Sequence, residues 1–330
     1  MIGIYSFVVL SLFGLLLLYF LFISRSPSVG KYFYRYFMAL ERQLAGLESA
    51  HINLKLENKP PQRIYFYRNK GFRDTNKGNK KSSTDKPYLL LLHGFSADKS
   101  IWHRFARYAQ KDFNLIIPDM LGHGETAYDP QQSYSTLEQS KMLIALLSEL
   151  GIEHYYAAGN SMGGMICAQL LEMDASRIKK AVLIDPAGAK SAFTDMMDET
   201  RANPFLHKDL KAFFRFYNGV MSKPPFAPPC VLHYVGQTHY LNRLEQFRHM
   251  FRDFFNTQHF YCEALKCKPS DVMVIWGEED KLIPVEDAKV WQGLTQSEPI
   301  IYKGIGHMPM TELPRKTYQD CYKFFEYSKS

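Results

Sequence analysis

The chain has 330 residues, of which 46% are hydrophobic, including 24 Phe, 21 Tyr and 3 Trp, enough for one large α/β domain or two small ones. Its net charge of +7 is moderate and forms no basic recognition motif, which argues against nucleic acid as a partner and fits a protein beside anionic lipid better. The five cysteines (Cys167, Cys230, Cys262, Cys267 and Cys321) are irregularly spaced, so neither a disulfide framework nor a metal site is expected, and they read as reduced thiols.

Met1 to Ser24 carries no charged side chain, and Ile2 to Ile23 is almost wholly apolar. About 20 residues at ~1.5 Å per residue span a hydrocarbon layer of ~30 Å, so 1–24 reads as a single-pass transmembrane anchor. A secretory signal would need a basic start and a small-residue cleavage site; no Lys or Arg precedes the run, and Ile23-Ser24-Arg25-Ser26-Pro27 is a poor one. Arg25, Lys31, Arg35 and Arg42 follow the run, which by the positive-inside rule puts the body on the cytoplasmic side of the membrane. An export anchor with the body outside is the alternative. Residues 25–50 read as a juxtamembrane helical segment, with Tyr32-Phe33-Tyr34-Arg35-Tyr36-Phe37 at the depth of an interfacial aromatic belt. Such a helix can lie on the membrane or pack on the domain.

His51 to Glu57 alternates with period two and Arg63 to Arg68 does so loosely, as edge strands do. Asn69 to Asp85 is polar and Lys-rich, a solvated loop. Short apolar runs then recur at Pro87–His93, Asn114–Asp119, Tyr155–Ala158, Ala181–Asp185, Val272–Trp276 and Pro299–Tyr302, as in parallel strands buried on both faces. Helical stretches at 100–110, 136–150, 162–173, 285–294 and 314–327 separate them, which predicts a mostly parallel, doubly wound α/β sheet. The alternation breaks from Ala189 to about Leu265, a stretch rich in Phe, Tyr, Met and Pro. It is too long for a plain connection and reads as a helical lid. The expected division is therefore an anchor (1–24), a juxtamembrane segment (25–50), an α/β core (51–188 and 266–330) and a lid (189–265).

The core is organised around Gly159-Asn160-Ser161-Met162-Gly163-Gly164, between a strand-like and a helix-like run. This is the setting of a G-x-S-x-G nucleophile elbow, in which a sharp strand-to-helix turn exposes the serine hydroxyl. Side chains at the flanking glycines would collide with the neighbouring strand and helix. A serine nucleophile needs a base, and the base needs an orienting acid. Downstream, Asp280 follows the strand ending at Trp276, and His307 lies in a glycine-flanked loop after the last strand. Both sit at strand C-termini, where open α/β sheets place their ligands. Glu278, Glu279 and Asp185 compete with Asp280, which is favoured because Gly277 and Pro284 frame a short loop around it. The N–H groups of Met162, at the helix start, and of Phe95, in His93-Gly94-Phe95, are the expected oxyanion donors.

Taken together, His93-Gly94-Phe95, Gly122-His123-Gly124, Gly159 to Gly164, Trp276 to Asp280 and Gly306-His307 resemble the α/β-hydrolase superfamily over about residues 50–328. Within it, the chain is similar to membrane-anchored monoacylglycerol lipases and to a group of bacterial lipases. The resemblance implies ester hydrolysis through an acyl-serine intermediate without a cofactor or metal. By carry-over, Ser161 is the nucleophile, His307 the base, Asp280 the orienting acid, and Phe95 and Met162 the oxyanion donors. The expected substrate is a lipid or other acyl ester, with monoacylglycerol favoured. The same motif serves C–C bond hydrolases of ring-cleavage pathways, which usually carry a Trp soon after the catalytic His; here Met308-Pro309-Met310 follows. The acyltransferase relatives usually carry His-x4-Asp, where this chain has His307-x4-Glu312. A non-catalytic membrane or lipid-binding scaffold is the alternative from a different class.

Overall fold

The computed structural model describes residues 11–14, 26–56, 60–72, 86–191, 205–206 and 208–326. The anchor expected at 1–24 lies outside these residues, except for residues 11–14, which are helical. Among the described residues no helix is long and apolar enough to cross a membrane.

The order is α1 (Pro27–Leu44), β1 (Leu47–Leu54), β2 (Gln62–Asn69), β3 (Tyr88–Leu92), α2 (His103–Ala109), β4 (Asn114–Pro118), α3 (Thr136–Glu149), β5 (Tyr155–Asn160), α4 (Met162–Met173) and β6 (Ile178–Ile184). There follow α5 (Leu210–Val220), α6 (Pro229–Val235), α7 (Leu244–Phe254), β7 (Val272–Gly277), α8 (Asp287–Thr295), β8 (Ile300–Tyr302), α9 (Pro309–Glu312) and α10 (Pro314–Glu326). One eight-stranded sheet runs β1-β2-β4-β3-β5-β6-β7-β8. The β1–β2 and β2–β4 pairs are antiparallel and the rest are parallel.

The alternation of side chains along each strand divides the core into two layers. Leu90 and Leu92 of β3, with Ala157 of β5, join the layer that also holds α3, α4, Phe205 and the aromatics of α7. Leu89 and Leu91, with Ala158, join the layer under α2 and α10. The central strands are buried on both faces, which is why they read as unbroken apolar runs rather than alternating ones.

The helical segment expected over residues 25–50 ends earlier than that boundary. Helix α1 stops at Leu44, and Gly46 (φ +64°) takes the left-handed conformation that reverses the chain. Leu47 to Ala50 then belong to β1 and pair with Asn69 to Phe66 of β2. One face of α1 packs against α6 so closely that a Cβ on Gly30 would sit 2.1 Å from the Cys230 carbonyl oxygen. Its other side carries the exposed Tyr32, Tyr36, Leu40 and Leu44, each four residues apart and so on one stripe.

A buried ion cluster sets the loop after β4. Lys99 Nζ pairs with Asp119, and with Glu125 at 2.7 Å. Asp119 also accepts the N–H of Lys99 (2.9 Å) and of Glu125 (2.8 Å). Gly124 (φ +53°) is required here, because a Cβ would lie 2.3 Å from the Asp119 carboxylate. Removing one partner of a buried pair typically costs about 3–5 kcal/mol, because a desolvated charge is left behind. Lys99→Met is expected to lose stability of that order in chemical denaturation, and Lys99→Met with Asp119→Asn is expected to recover part of it. A single variant as stable as the parent would contradict this.

Candidate active site

Ser161 stands between β5 and α4 at φ +57°, ψ −118°, a conformation that non-glycine residues rarely adopt. The turn is held by Ser161 N–H donating to the Ile184 carbonyl (3.0 Å), while the Ser161 carbonyl accepts from Met165 and Ala187 (both 3.1 Å). Its tightness demands the flanking glycines. A Cβ on Gly159 would lie 2.1 Å from the Gly163 oxygen, and one on Gly163 would lie 2.3 Å from the Leu92 oxygen.

His307, in the loop after β8, is buried and its Nδ1 lies 2.6 Å from Asp280 Oδ2. Asp280 is buried in turn, and its Oδ1 accepts the N–H groups of Leu282 (2.7 Å) and Ile283 (3.0 Å). Those amides point the carboxylate at the histidine. His307 Nε2 is buried and has no hydrogen-bond partner among the described residues, which leaves it free to take a proton. Of the competing acids, Glu278 and Glu279 are exposed. Glu278 accepts from Gly304 N–H (3.3 Å) and Glu279 from the Ser222 hydroxyl (2.7 Å). Asp185 is fully buried beside Asp280, with Oδ1 accepting Gly277 N–H at 2.8 Å.

The loop after β3 passes against Ser161, because a Cβ on Gly94 would lie 3.1 Å from Ser161 Cβ. Neither the Phe95 nor the Met162 N–H has a partner among the described residues. Both donors therefore remain available beside the serine, as an oxyanion site requires. Two histidines brace this loop without facing substrate chemistry. His93 Nδ1 contacts the Gly94 carbonyl (2.8 Å) and its Nε2 accepts Met120 N–H (3.0 Å). Burial pushes His93 down to about 4 and His123 well below its ordinary range, so both rings are neutral at pH 7.

The Phe95 side chain joins this loop to the Phe-rich segment between β6 and β7. Its ring packs on Phe205 (5.2 Å), Phe247 (5.8 Å), Phe251 (5.4 Å) and Phe254 (5.5 Å). The last three project from one face of α7. Ser161 opens on two spaces. One is a cavity of about 550 Å³ bounded by the loop after β3, by α5 and α6, and by Tyr34, Phe37, Met38, Leu40 and Leu44 of α1. The other is a tight aromatic pocket of about 30 Å³ between Phe205, Phe251, Phe254, Phe255, Phe260 and Leu282. The α1 wall is absent from a reading that assigns the pocket to the lid alone; the helical spacing of 32–44 signals a packed face without saying what that face covers.

Two positioning residues also escape the motif reading. Asn160 Nδ2 donates to the His307 carbonyl (2.9 Å), tying the elbow to the histidine loop. The Glu312 carboxylate accepts N–H groups from Gly306 (3.1 Å), Met308 (3.3 Å), Ser222 (2.9 Å) and Lys223 (2.8 Å), while His307 N–H donates to the Val220 carbonyl at 2.8 Å. Glu312, in the sequence only a departure from His-x4-Asp, thus clamps the histidine loop onto the end of α5. Glu312→Ala leaves four amides without their acceptor. It is expected to cost about 2 kcal/mol in thermal unfolding and to lower kcat about tenfold through misplacement of His307. An active, equally stable variant would show that the clamp is dispensable.

A family model for the alpha/beta hydrolase fold matches residues 87–228. Lipase 1 of Psychrobacter immobilis is 30% identical over 242 residues, covering 72% of this chain and 76% of that protein. Monoacylglycerol lipase abhd6-B of Xenopus laevis is 26% identical over 251 residues, covering 71% and 73%. Among solved structures, a membrane phospholipase A described as a bacterial virulence factor superposes with a TM-score of 0.78 at 24% identity, over 99% of this chain and 98% of that one, a likeness of fold. The elbow on its parallel sheet and the match in sequence lead to one conclusion: the chain belongs to the α/β-hydrolase family and is a serine hydrolase of the lipase and esterase kind.

Proposed function

We propose that the protein hydrolyses acylglycerols, monoacylglycerol above all, at a membrane surface, with Ser161 as nucleophile, His307 as general base and Asp280 as orienting acid. The observation that carries this is the 2.6 Å contact between His307 Nδ1 and Asp280 Oδ2, with Nε2 left free and buried and the strained Ser161 facing an apolar cavity. Ser161 Oγ attacks the ester carbonyl while His307 Nε2 takes its proton. The N–H groups of Phe95 and Met162 hold the oxyanion, and removal of one such donor typically costs about 10²–10³ in rate. The protonated His307 then gives its proton to the leaving alcohol. Water, activated by the same Nε2, releases the fatty acid from the acyl-serine.

The substrate class follows from the cavity. Its volume of about 550 Å³ lies in the range of small-molecule sites, about 300–1,000 Å³. Its walls are mainly aromatic and aliphatic, which favours an acyl chain over a small ionised acid. Psychrobacter Lipase 1 and the Xenopus monoacylglycerol lipase are consistent with that choice.

The membrane reading rests on the cavity mouth. Leu40, Leu44 and Phe226 line it and are exposed, Phe226 by 90%. Helix α1 follows directly on the apolar run Ile2 to Ile23. In this reading 1–24 is the single-pass anchor, the body lies on the cytoplasmic side, residues 189–265 form the lid, and the exposed stripe of α1 with Phe226 meets the bilayer. Burial of one Phe contributes about 1.5–3 kcal/mol. Phe226→Glu is therefore expected to lower the ratio of vesicle-borne to soluble ester turnover at least about tenfold; an unchanged ratio would remove the loop from the interface.

The deciding assay is a substrate panel with the detergent-solubilised protein, covering mono-, di- and triacylglycerols, a diacyl phospholipid and a ring-cleavage dienone acid. The expected result is preferred release of fatty acid from monoacylglycerol, lost in Ser161→Ala. Preferred cleavage of the phospholipid or of the dienone would overturn the substrate assignment.

A further inference from the structure

Asp185 directly follows β6 with φ +43°, a conformation rare for an L residue and of the kind held only where the surroundings impose it. Its side chain has no solvent exposure. Oδ1 accepts Gly277 N–H at 2.8 Å, whereas the buried Oδ2 has no hydrogen-bond partner among the described residues. An Asp185 carboxylate oxygen, an Asp280 carboxylate oxygen and a His307 ring nitrogen all lie within 4.8 Å of one another. The ionisable groups bearing on Asp185 are therefore Asp280 on the loop after β7, His307 on the loop after β8, and Glu312 on α9.

Two carboxyl groups this close in a dry interior do not both ionise, and one keeps a proton. Asp280 is the better satisfied of the two, because Leu282 N–H, Ile283 N–H and His307 all donate to it. Asp185 has a single amide and an unused oxygen, so the proton belongs on it. Burial, reinforced by the charges of Asp280 and Glu312, likewise pushes Asp185 well above the usual carboxylate range.

We propose that Asp185 is a positioning residue of the active site: it donates a hydrogen bond from Oδ2 to the Asp280 carboxylate, and it becomes the acid that orients His307 when Asp280 is removed. The proposal rests on the assignment of Ser161, His307 and Asp280 above. In the intact enzyme the Asp185 proton steadies the carboxylate that faces Nδ1 without adding a second negative charge. With Asp280 gone, the nearest negative charge opposing ionisation of Asp185 is lost, and its oxygen stands close enough to accept a hydrogen bond from Nδ1–H after a side-chain rotation.

The test uses the full-length detergent-solubilised protein, a short-chain nitrophenyl ester, and the variants Asp185→Asn, Asp280→Ala and the double substitution. Asparagine has the shape of the protonated acid, keeps the acceptor for Gly277 and adds no charge. Asp185→Asn is expected to leave the midpoint of the acid limb of kcat/KM within about 0.3 pH unit of the parent, whereas loss of an ionised neighbour shifts such midpoints by about a unit or more. Asp280→Ala is expected to retain about 1% of the parent kcat, and adding Asp185→Asn to remove at least about tenfold more. A displaced acid limb in Asp185→Asn, or equal turnover in Asp280→Ala and the double variant, overturns the proposal. Parent-like turnover in Asp280→Ala is a separate result, because it would overturn the assignment of Asp280 itself. Should Asp280→Ala fail to fold, the acid limb of Asp185→Asn decides alone.

Discussion

The backbone of Ser161 is the constraint on which the rest of the structure depends. A non-glycine residue at φ +57° costs on the order of 1–3 kcal/mol and persists only where its neighbours leave no alternative. Here they leave none. Gly159 meets the backbone of Gly163, and Gly163 meets the backbone of Leu92, so strands β3 and β5 and helix α4 touch without intervening side chains. That contact lifts the serine to the C-terminal edge of the sheet, and the loops after β3, β7 and β8 arrive at the same edge. The parallel sheet thus does more than carry the site. Its register decides that Phe95, Asp280 and His307 converge on one turn.

The Phe-rich segment between β6 and β7 is built into this arrangement rather than laid over it. Phe95 follows Gly94, which passes against Ser161, and sets its ring among Phe205, Phe247, Phe251 and Phe254. His307 hangs its own N–H on Val220, the last residue of α5, and Glu312 binds the amides on both sides of that junction. Displacement of that segment therefore disturbs the loop after β3 and the histidine loop together. The cavity at Ser161 and the loop that carries His307 are thus coupled through named contacts.

Much of this is legible in the sequence, for a physical reason. Strands buried on both faces must be apolar at every position, so β3 to β7 stand out as runs. Sharp turns at strand ends must use glycine, so the loops of Ser161, Phe95 and His307 mark themselves. Asp280 is favoured over Glu278 and Glu279 by the short loop that Gly277 and Pro284 frame around it; the two glutamates are exposed, whereas Asp280 is buried against His307. What is not legible depends on contacts distant in sequence. Lys99 and Asp119 meet across a β–α unit. Glu312 and Ser222 lie 90 residues apart. The end of α1 at Leu44 depends on Gly46, whose neighbours are as compatible with helix as with strand. Amphipathic spacing in α1 announces two faces but does not say that one of them closes a substrate cavity.

The central claim is that the strained Ser161, served by His307, is the nucleophile. The most direct measurement is peptide mapping by mass spectrometry after reaction of the purified protein with a fluorophosphonate. The account predicts a single stoichiometric adduct on the peptide containing Ser161, absent in Ser161→Ala and formed at least about 10³-fold more slowly in His307→Ala. An adduct on another residue, or labelling of Ser161 at the parent rate without His307, would contradict it.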